Sequence, residues 1–371
     1  MSFKKHPFSA GSIFIVSGIA MGLLGTIGLA QGRDRDDPPF LPSTLTVSTV
    51  PTNGDVNPYG VAFVPRDYKG GGLLAAGDIL VSNFNNGPNL QGTGSTILRF
   101  STAGATSLFF QSNLQANHGL STALVFLRAG YVIVGSFPTA DGTSATAQAG
   151  SLLIINQNGQ LVGTIADPAF VNGPWGGTVV DRGDEATLFI ANALSGTVVR
   201  FDLEVRSTSV SLKSKTQIGS GYIHRGDPAA LEVSPTGLVF DSKTGELYVA
   251  STGDNKVFAI WNARFTTTDK GTGRVIYTDP VHLHGALGLA MAPNRHLLVT
   301  NSDGINSDPN QPSEIVEFTL DGVFVRQLSV DTAQGGSFGL AVGNAADDTA
   351  QLAAVDDNTN SLKIWNLVVA E

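Results

Sequence analysis

The strongest constraint on this chain is that one passage keeps returning. His284 to Val325 reads HGALGLAMAPNRHLLVTN, then a polar loop, then SEIVEFTLDGVFV, and versions of it recur from Asn57 onward. Each copy holds four short apolar runs, here called a to d, divided by turns rich in Gly, Asn and Pro. The first copy runs YGVAFVP, GDILVSN, STILRF and TSLFFQS; the fourth runs GLVFDS, ELYVAST, KVFAIW and GRVIYTD. Units of this kind cannot bury their apolar faces alone, so neighbouring copies must stack on one another.

The phase of the copies can be checked. The apolar residue closing run c falls at Phe100, Ile155, Phe201, Trp261, Phe318 and Trp365, with spacings of 55, 46, 60, 57 and 47. Large residues at one repeat position fill the wedge between stacked sheets, so Trp261 and Trp365 read as core and not as ligand platforms. Period, run count and Gly-rich turns together predict an all-β chain folded as a six-bladed β-propeller with four-stranded antiparallel blades. The sixth copy (FGLAVG, QLAAVD, SLKIW) has no run d, while Leu45 to Val50 is a strand without a local partner. A strand at about 44–50 is therefore expected to complete the last blade and remove both free edges of the ring.

Residues 1–30 read as an export signal, with Lys4 and Lys5, an apolar run from Ile13 to Ala30, and Gly28 and Ala30 placed for cleavage before Gln31. A retained N-terminal anchor is the rival, since a run of this length can just span a bilayer. Residues 31–43 form a charged, Pro-containing linker, and 44–371 form the propeller. The protein is expected in the periplasm or outside the cell, as a monomer, at a membrane only if the segment is uncleaved. Among its 371 residues there is no cysteine, which excludes disulfides, thiolate metal sites and thiol redox chemistry. The net charge of −9, which becomes −11 once two basic and no acidic residues leave with the signal, argues against nucleic acid.

The copies resemble NHL repeats, whose blades read as Pro-x-Gly-(Ile/Leu/Val)-Ala, a strand ending in Asn or Asp, and a strand closing on Phe. The pattern stands here as Asn57-Pro58-Tyr59-Gly60-Val61-Ala62 with Val81-Ser82-Asn83, as Ile190-Ala191-Asn192, and as Gly288-Leu289-Ala290 with Val299-Thr300-Asn301. The resemblance covers about residues 44–369 and extends to exported bacterial propellers of this type; it implies the fold and carries no mechanism.

Antiparallel strands put the d–a links and b–c loops on one face, where loops held by a rigid scaffold carry function. Asn57, Asn83, Asn117, Trp175, Asn192 and Asn301 are the ligand-binding candidates on that face. The b–c loops of copies 1, 2 and 5 are long, and those of neighbours 1 and 2 are expected to raise a wall. His118 and His284 each precede the Gly that opens run a, and are candidates for acid–base work or metal binding against the alternative of bonding a nearby carbonyl. His282, two residues before His284, shares its side of an extended chain, and His296 falls in an a–b turn on the other face, where solvation is expected. Asp254, Asp303 and Asp356 recur at comparable b–c positions and offer oxygen ligands to one Ca²⁺ or Mg²⁺ in the channel, although such residues also close turns.

The expected function is an exported scaffold binding a protein, glycan or small ligand on the d–a and b–c face. The alternative is a divalent-metal-dependent lyase or hydrolase at the channel mouth. Resemblance to streptogramin lyases would give His118 or His284 that role; in gluconolactonases a Glu helps hold the metal, and no Glu stands at any run-a start here. The export reading predicts that intact-mass analysis of the secreted protein gives a chain beginning at Gln31; a mass retaining Met1 would favour the anchor.

Overall fold

In the computed structural model the described residues are 43–112, 118–301, 314–331, 333, 335–343 and 349–368. The expected signal, nearly all of the expected linker, Asn117, Asp303 and most of the long b–c loop of copy 5 lie outside them. Among the described residues the chain is almost wholly β, its helix content being one short turn at Ser144–Thr146.

The first sheet is ordered Val56–Phe63, Ile79–Asn85, Thr96–Phe100 and Thr106–Gln111, each strand antiparallel to the next. The fourth copy forms Pro235–Phe240, Leu247–Ser251, Lys256–Ile260 and Arg274–Tyr277 in the same way, and the fifth forms Ala286–Met291, Leu297–Asn301, Glu314–Phe318 and Phe324–Ser329. Copies 2 and 3, Leu120–Ile165 and Pro174–Gly219, join into one eight-stranded sheet through a single parallel bridge, Gly176 to Thr122. In the last sheet Ser337–Val342, Thr349–Asp356 and Ser361–Val368 are completed by the N-terminal strand Ser43–Ser48, with Leu45 opposite Ile364. That closure is the one expected from the orphan strand, and the architecture is a β-propeller.

The innermost strands meet in cyclic order, beginning at Val56, Leu120, Pro174, Pro235, Ala286 and Ser337 and returning to Val56. One apolar layer fills each junction. Leu80 and Ile97 of the first blade meet Leu124 and Val134 of the second, and Leu298 and Ile315 of the fifth meet Leu352 and Trp365 of the last. Both faces of most strands are buried, which explains why runs such as Ile79–Asn85 are continuous rather than alternating.

Every innermost strand carries a register shift near its start, for example between Pro58 and Val61 and between Ala286 and Leu289. At that shift, in every blade but the second, whose shift spans Ser121, Thr122 and Ala123, a glycine faces the next blade. A Cβ on Gly176 would overlap the Thr236 carbonyl oxygen, one on Gly237 that of Leu287, one on Gly288 that of Phe338, and one on Gly339 that of Tyr59. Hydroxyls on the same belt bridge the blades. Ser82 Oγ accepts from Gly60 N at 3.0 Å and donates to Ser121 O at 2.9 Å; Thr300 Oγ1 accepts from Gly288 N at 2.7 Å and donates to Phe338 O at 2.6 Å.

One register expectation fails. Phe100 pairs with Ile79, Phe318 with Leu297, Trp365 with Leu352 and, at the equivalent place, Ile260 with Leu247. Ile260 is the buried member of the series, and Trp261, one residue later, is 61% exposed. A one-residue slip turns a side chain to the opposite side, so the Trp expected in the core projects from the turn.

The glycine belt generates a mutational prediction. Gly176→Ala and Gly339→Ala should each lower stability by about 3 kcal/mol through overpacking, whereas Gly163→Ala, which meets only the Ile154 side chain, should cost less than about 1 kcal/mol. Chemical-denaturation midpoints measure the difference, and equal midpoints would show that the belt has slack.

Candidate functional site

The ends of the b strands carry the asparagines expected to face a ligand. Asn83 Nδ2 donates to Thr49 O at 3.1 Å, Asn192 Nδ2 to Phe170 O at 2.9 Å, and Asn301 Nδ2 to His282 O at 3.0 Å. In the latter two blades Oδ1 also accepts from the incoming link, from Asn172 N and His284 N, each at 3.0 Å. All three side chains are buried. They latch the d–a link to the b strand and so spare buried backbone groups from losing their partners. Asn57 is also buried, at φ 57°, with its N–H donating to Asn360 Oδ1 at 2.8 Å.

Trp175 lies deeper still, at 1% exposure. Its ring meets Tyr59, Phe84 and Phe137 at centroid distances of 5.8, 5.5 and 5.3 Å, and Tyr59 stacks on Phe338 at 4.5 Å. These rings, with Leu287, form an apolar plug inside the ring of blades near the looped face. Beyond it, between the innermost strands, lies a cavity of about 340 Å³ lined mainly by Gly and apolar residues, with Thr122 and Thr178 and no titratable side chain.

Over the plug sits an element the sequence reading missed. Arg225–Asp227 and Leu231–Val233 form a hairpin between blades 3 and 4. Asp227 Oδ1 caps its turn, accepting from Ala229 N and Ala230 N at 2.9 and 3.1 Å, and Asp227-Pro228 is the signal that could have revealed it. Leu231 at the turn's end takes φ 60°, a strained value for a branched residue, and enters the plug. Gln91 Nε2 of the first blade's long loop donates to Ala229 O at 3.1 Å, and the helical turn Ser144–Thr146 of the second blade's loop packs on the hairpin. The two long loops are themselves joined, Thr139 N donating to Gly92 O at 3.1 Å.

The predicted charged residues separate. His284 Nε2 donates to its own loop at Val281 O, 3.1 Å away, which is the carbonyl-bonding alternative. His282 Nδ1 meets Asp279 Oδ2 at 2.6 Å and stacks on Phe324 with centroids 3.8 Å apart. Burial pushes the Asp279 carboxyl up, but bonds from His282, Tyr277 and Val281 N outweigh it and hold it down at about 2. His296, expected in solvent, instead meets buried Glu317 at 2.7 Å, whose other carboxylate oxygen pairs with Arg326 on the neighbouring strand at 2.8 Å. Asp254 accepts from Ser251 Oγ and Ile223 N, and Asp356 pairs with Lys363 Nζ at 2.9 Å. Among the described residues no three His, Cys, Asp or Glu groups stand together to hold a metal, and Asp303, the third residue of the Ca²⁺ or Mg²⁺ set expected from sequence, lies outside them.

His118 differs from the other predicted histidines in holding a bare, buried ring nitrogen. It is 6% exposed, Ser136 Oγ donates to its carbonyl at 2.8 Å and lies 3.4 Å from Nδ1, and Nε2 has no hydrogen-bond partner. Burial pushes the imidazole below its usual value of 6.5, so the ring is neutral at pH 7. It lines a cavity of about 560 Å³ together with Ser136, Thr139, Gln148, Ser151 and Thr164. A neutral ring with a bare nitrogen beside hydroxyls and an amide can accept a hydrogen bond from a polar ligand.

A second perturbed group lies in the hairpin. Burial pushes the Glu232 carboxyl up to about 7, with Asp227 adding to the rise and His224 and Arg225 opposing it. The unfolded chain binds fewer protons than the folded one between about 4.5 and 7, so this group's contribution to stability falls as pH rises through that window. Glu232→Gln should therefore raise stability at pH 8 by about 2 kcal/mol relative to its effect at pH 4. An equal shift in melting temperature at both pH values would show that Glu232 is solvated in the folded protein.

No family model matches the chain, and no curated protein matches it. Solved structures do. A protein of unknown function from Dyadobacter fermentans superposes with a TM-score of 0.54 at 8% identity, covering 89% of this chain and 100% of that one. Regucalcin from Agrobacterium tumefaciens, described as a calcium-binding protein, gives 0.51 at 11% identity over 87% of this chain and 95% of its own. A luciferin-regenerating enzyme gives 0.50 at 10% identity over 88% and 95%. At these identities the likeness shows the β-propeller fold alone.

Proposed function

We propose that this chain is an exported, monomeric six-bladed propeller of the NHL type that binds a small polyhydroxylated ligand in the cavity beside His118. The observation that carries the reading is the bare, buried Nε2 of His118 in a cavity lined by Ser136, Thr139, Ser151 and Thr164. A buried acceptor without a donor costs roughly 1–3 kcal/mol, and a ligand hydroxyl would recover it. The remaining lining groups both donate and accept, which suits a sugar or polyol better than an apolar ligand. The strand pairings support six blades, since the four-stranded units number six when the eight-stranded sheet is divided at its single bridge.

A hydrolase of the lactonase kind is the second reading. It is favoured by the same imidazole, whose depressed pKa leaves it unprotonated and able to accept a proton at neutral pH. His118 would then act as the base.

Both readings meet in one experiment. The purified protein is melted in the presence of monosaccharides, sugar acids and sugar lactones, and lactone opening is followed with a pH indicator. Binding predicts at least one compound that raises the melting temperature of the wild type and has no effect on His118→Ala or on Thr164→Arg, which fills the cavity. Lactone opening lost in His118→Ala would establish the second reading. If no compound shifts the wild type, or if the shift survives both substitutions, the site is elsewhere.

A further inference from the structure

The turn joining Lys256–Ile260 to Arg274–Tyr277 in the fourth blade lies on the face opposite the His118 loops, because c–d and b–c connections leave opposite ends of the strands. It carries Trp261, 61% exposed, and Phe265, 66% exposed, with half-exposed Val275 on the strand that follows. Isolated apolar side chains on a surface need no explanation. These rings are different because the backbone beneath them is fixed.

Ala263 N donates to Gly245 O at 3.1 Å, while Phe265 N and Thr266 N both donate to Asn262 O at 3.0 and 2.9 Å. The buried Arg200 of the third blade donates from Nη1 to Thr266 O at 2.7 Å and to Ala263 O at 3.4 Å. Farther along, Lys270 N donates to Ile218 O at 3.0 Å. A buried arginine, the turn at Gly245 and the strand that carries Ile218 thus hold the turn in a shape that keeps two large rings in water.

Each ring is accompanied by a cation. Lys270 Nζ stands 5.0 Å from the Trp261 ring centroid and Arg264 Cζ 4.8 Å from that of Phe265. Among the described residues neither cation is in an ion pair, and Arg264 Nε is buried without a partner. The nearby carboxylates are engaged: Asp269 accepts from Gln217 Nε2 and Gly271 N, and Glu246 from Arg274 and Tyr248. On a chain of net charge −9, two cations left without carboxylates on one rigid turn are complementary to an anion.

We propose that this turn binds an acidic polysaccharide, with Trp261 and Phe265 stacking on the C–H faces of sugar rings while Lys270 and Arg264 pair with their carboxylates. A protein partner would need an interface of roughly 800 Å² on each side, whereas the apolar groups here are few and interrupted by exposed Thr267, Thr268 and Asp269. Threonine hydroxyls around flat rings suit sugar hydroxyls, and the cations select a charged polymer over a neutral one.

The probe is polygalacturonate, with uncharged dextran as comparator. Trp175 and Trp365 are buried, so a change in tryptophan emission reports on Trp261, the third of the chain's three tryptophans. Polygalacturonate should change that emission saturably and retard the protein in a native gel, dextran should do neither, and about 0.5 M NaCl should abolish the effect. Trp261→Ala should lose retardation and Lys270→Glu should weaken binding about tenfold, both with melting temperatures close to the wild type because the side chains lie at the surface. Equal binding of dextran, binding of neither polymer, or unchanged retardation of both variants would overturn the proposal. Because His118→Ala leaves this turn untouched, its binding of polygalacturonate should be wild-type whatever becomes of the His118 site.

Discussion

The structure depends on how closely the innermost strands approach one another. At the register shift of four of the inner strands a backbone carbonyl of the next blade occupies the space where a side chain would begin, and glycine at 176, 237, 288 and 339 is what admits it. Thr300 then ties the Phe338 carbonyl, and Ser82 the Ser121 carbonyl beside Gly60, to their own blades by hydrogen bonds. Close backbone approach removes polar groups from water, and the hydroxyl bridges supply the partners that removal demands. Everything outside this belt, from the apolar layers to the loops, takes its position from it.

A ring drawn that tight has room inside for side chains and little else. Tyr59, Trp175, Leu287 and Phe338, each one residue before a belt glycine, turn inward and close the space with help from Phe84 and Phe137. The hairpin at Arg225–Val233 adds Leu231 from above. The channel mouth, where polar chemistry was expected, is therefore an apolar core, and polar capacity moves outward to the His118 cavity beside the second blade's long loop.

The candidate site was harder to read from sequence than the fold for a definite reason. An Asn at the end of a b strand can hold a ligand or can latch a link, and the residue is the same in both cases. Asn192 and Asn301 engage both ends of their amides with backbone groups and so act as latches. His118 and His284 occupy matching places before a glycine, yet only His118 retains a bare nitrogen, because His284 turns back onto Val281. The difference lies in three-dimensional neighbours that single-residue patterns do not encode.

By itself the sequence determined the all-β repeat, its phase to within one residue, and closure of the last sheet by Ser43–Ser48, since each follows from local periodicity and from edges that must be paired. Tertiary structure decided which of Ile260 and Trp261 is core, because in a strand one residue separates the two faces and only pairing with Leu247 fixes the count. It also decided that the channel mouth is filled, that His118 is the imidazole left open, and that two rings stand in water over Arg200, all of them consequences of contacts between residues far apart in the chain.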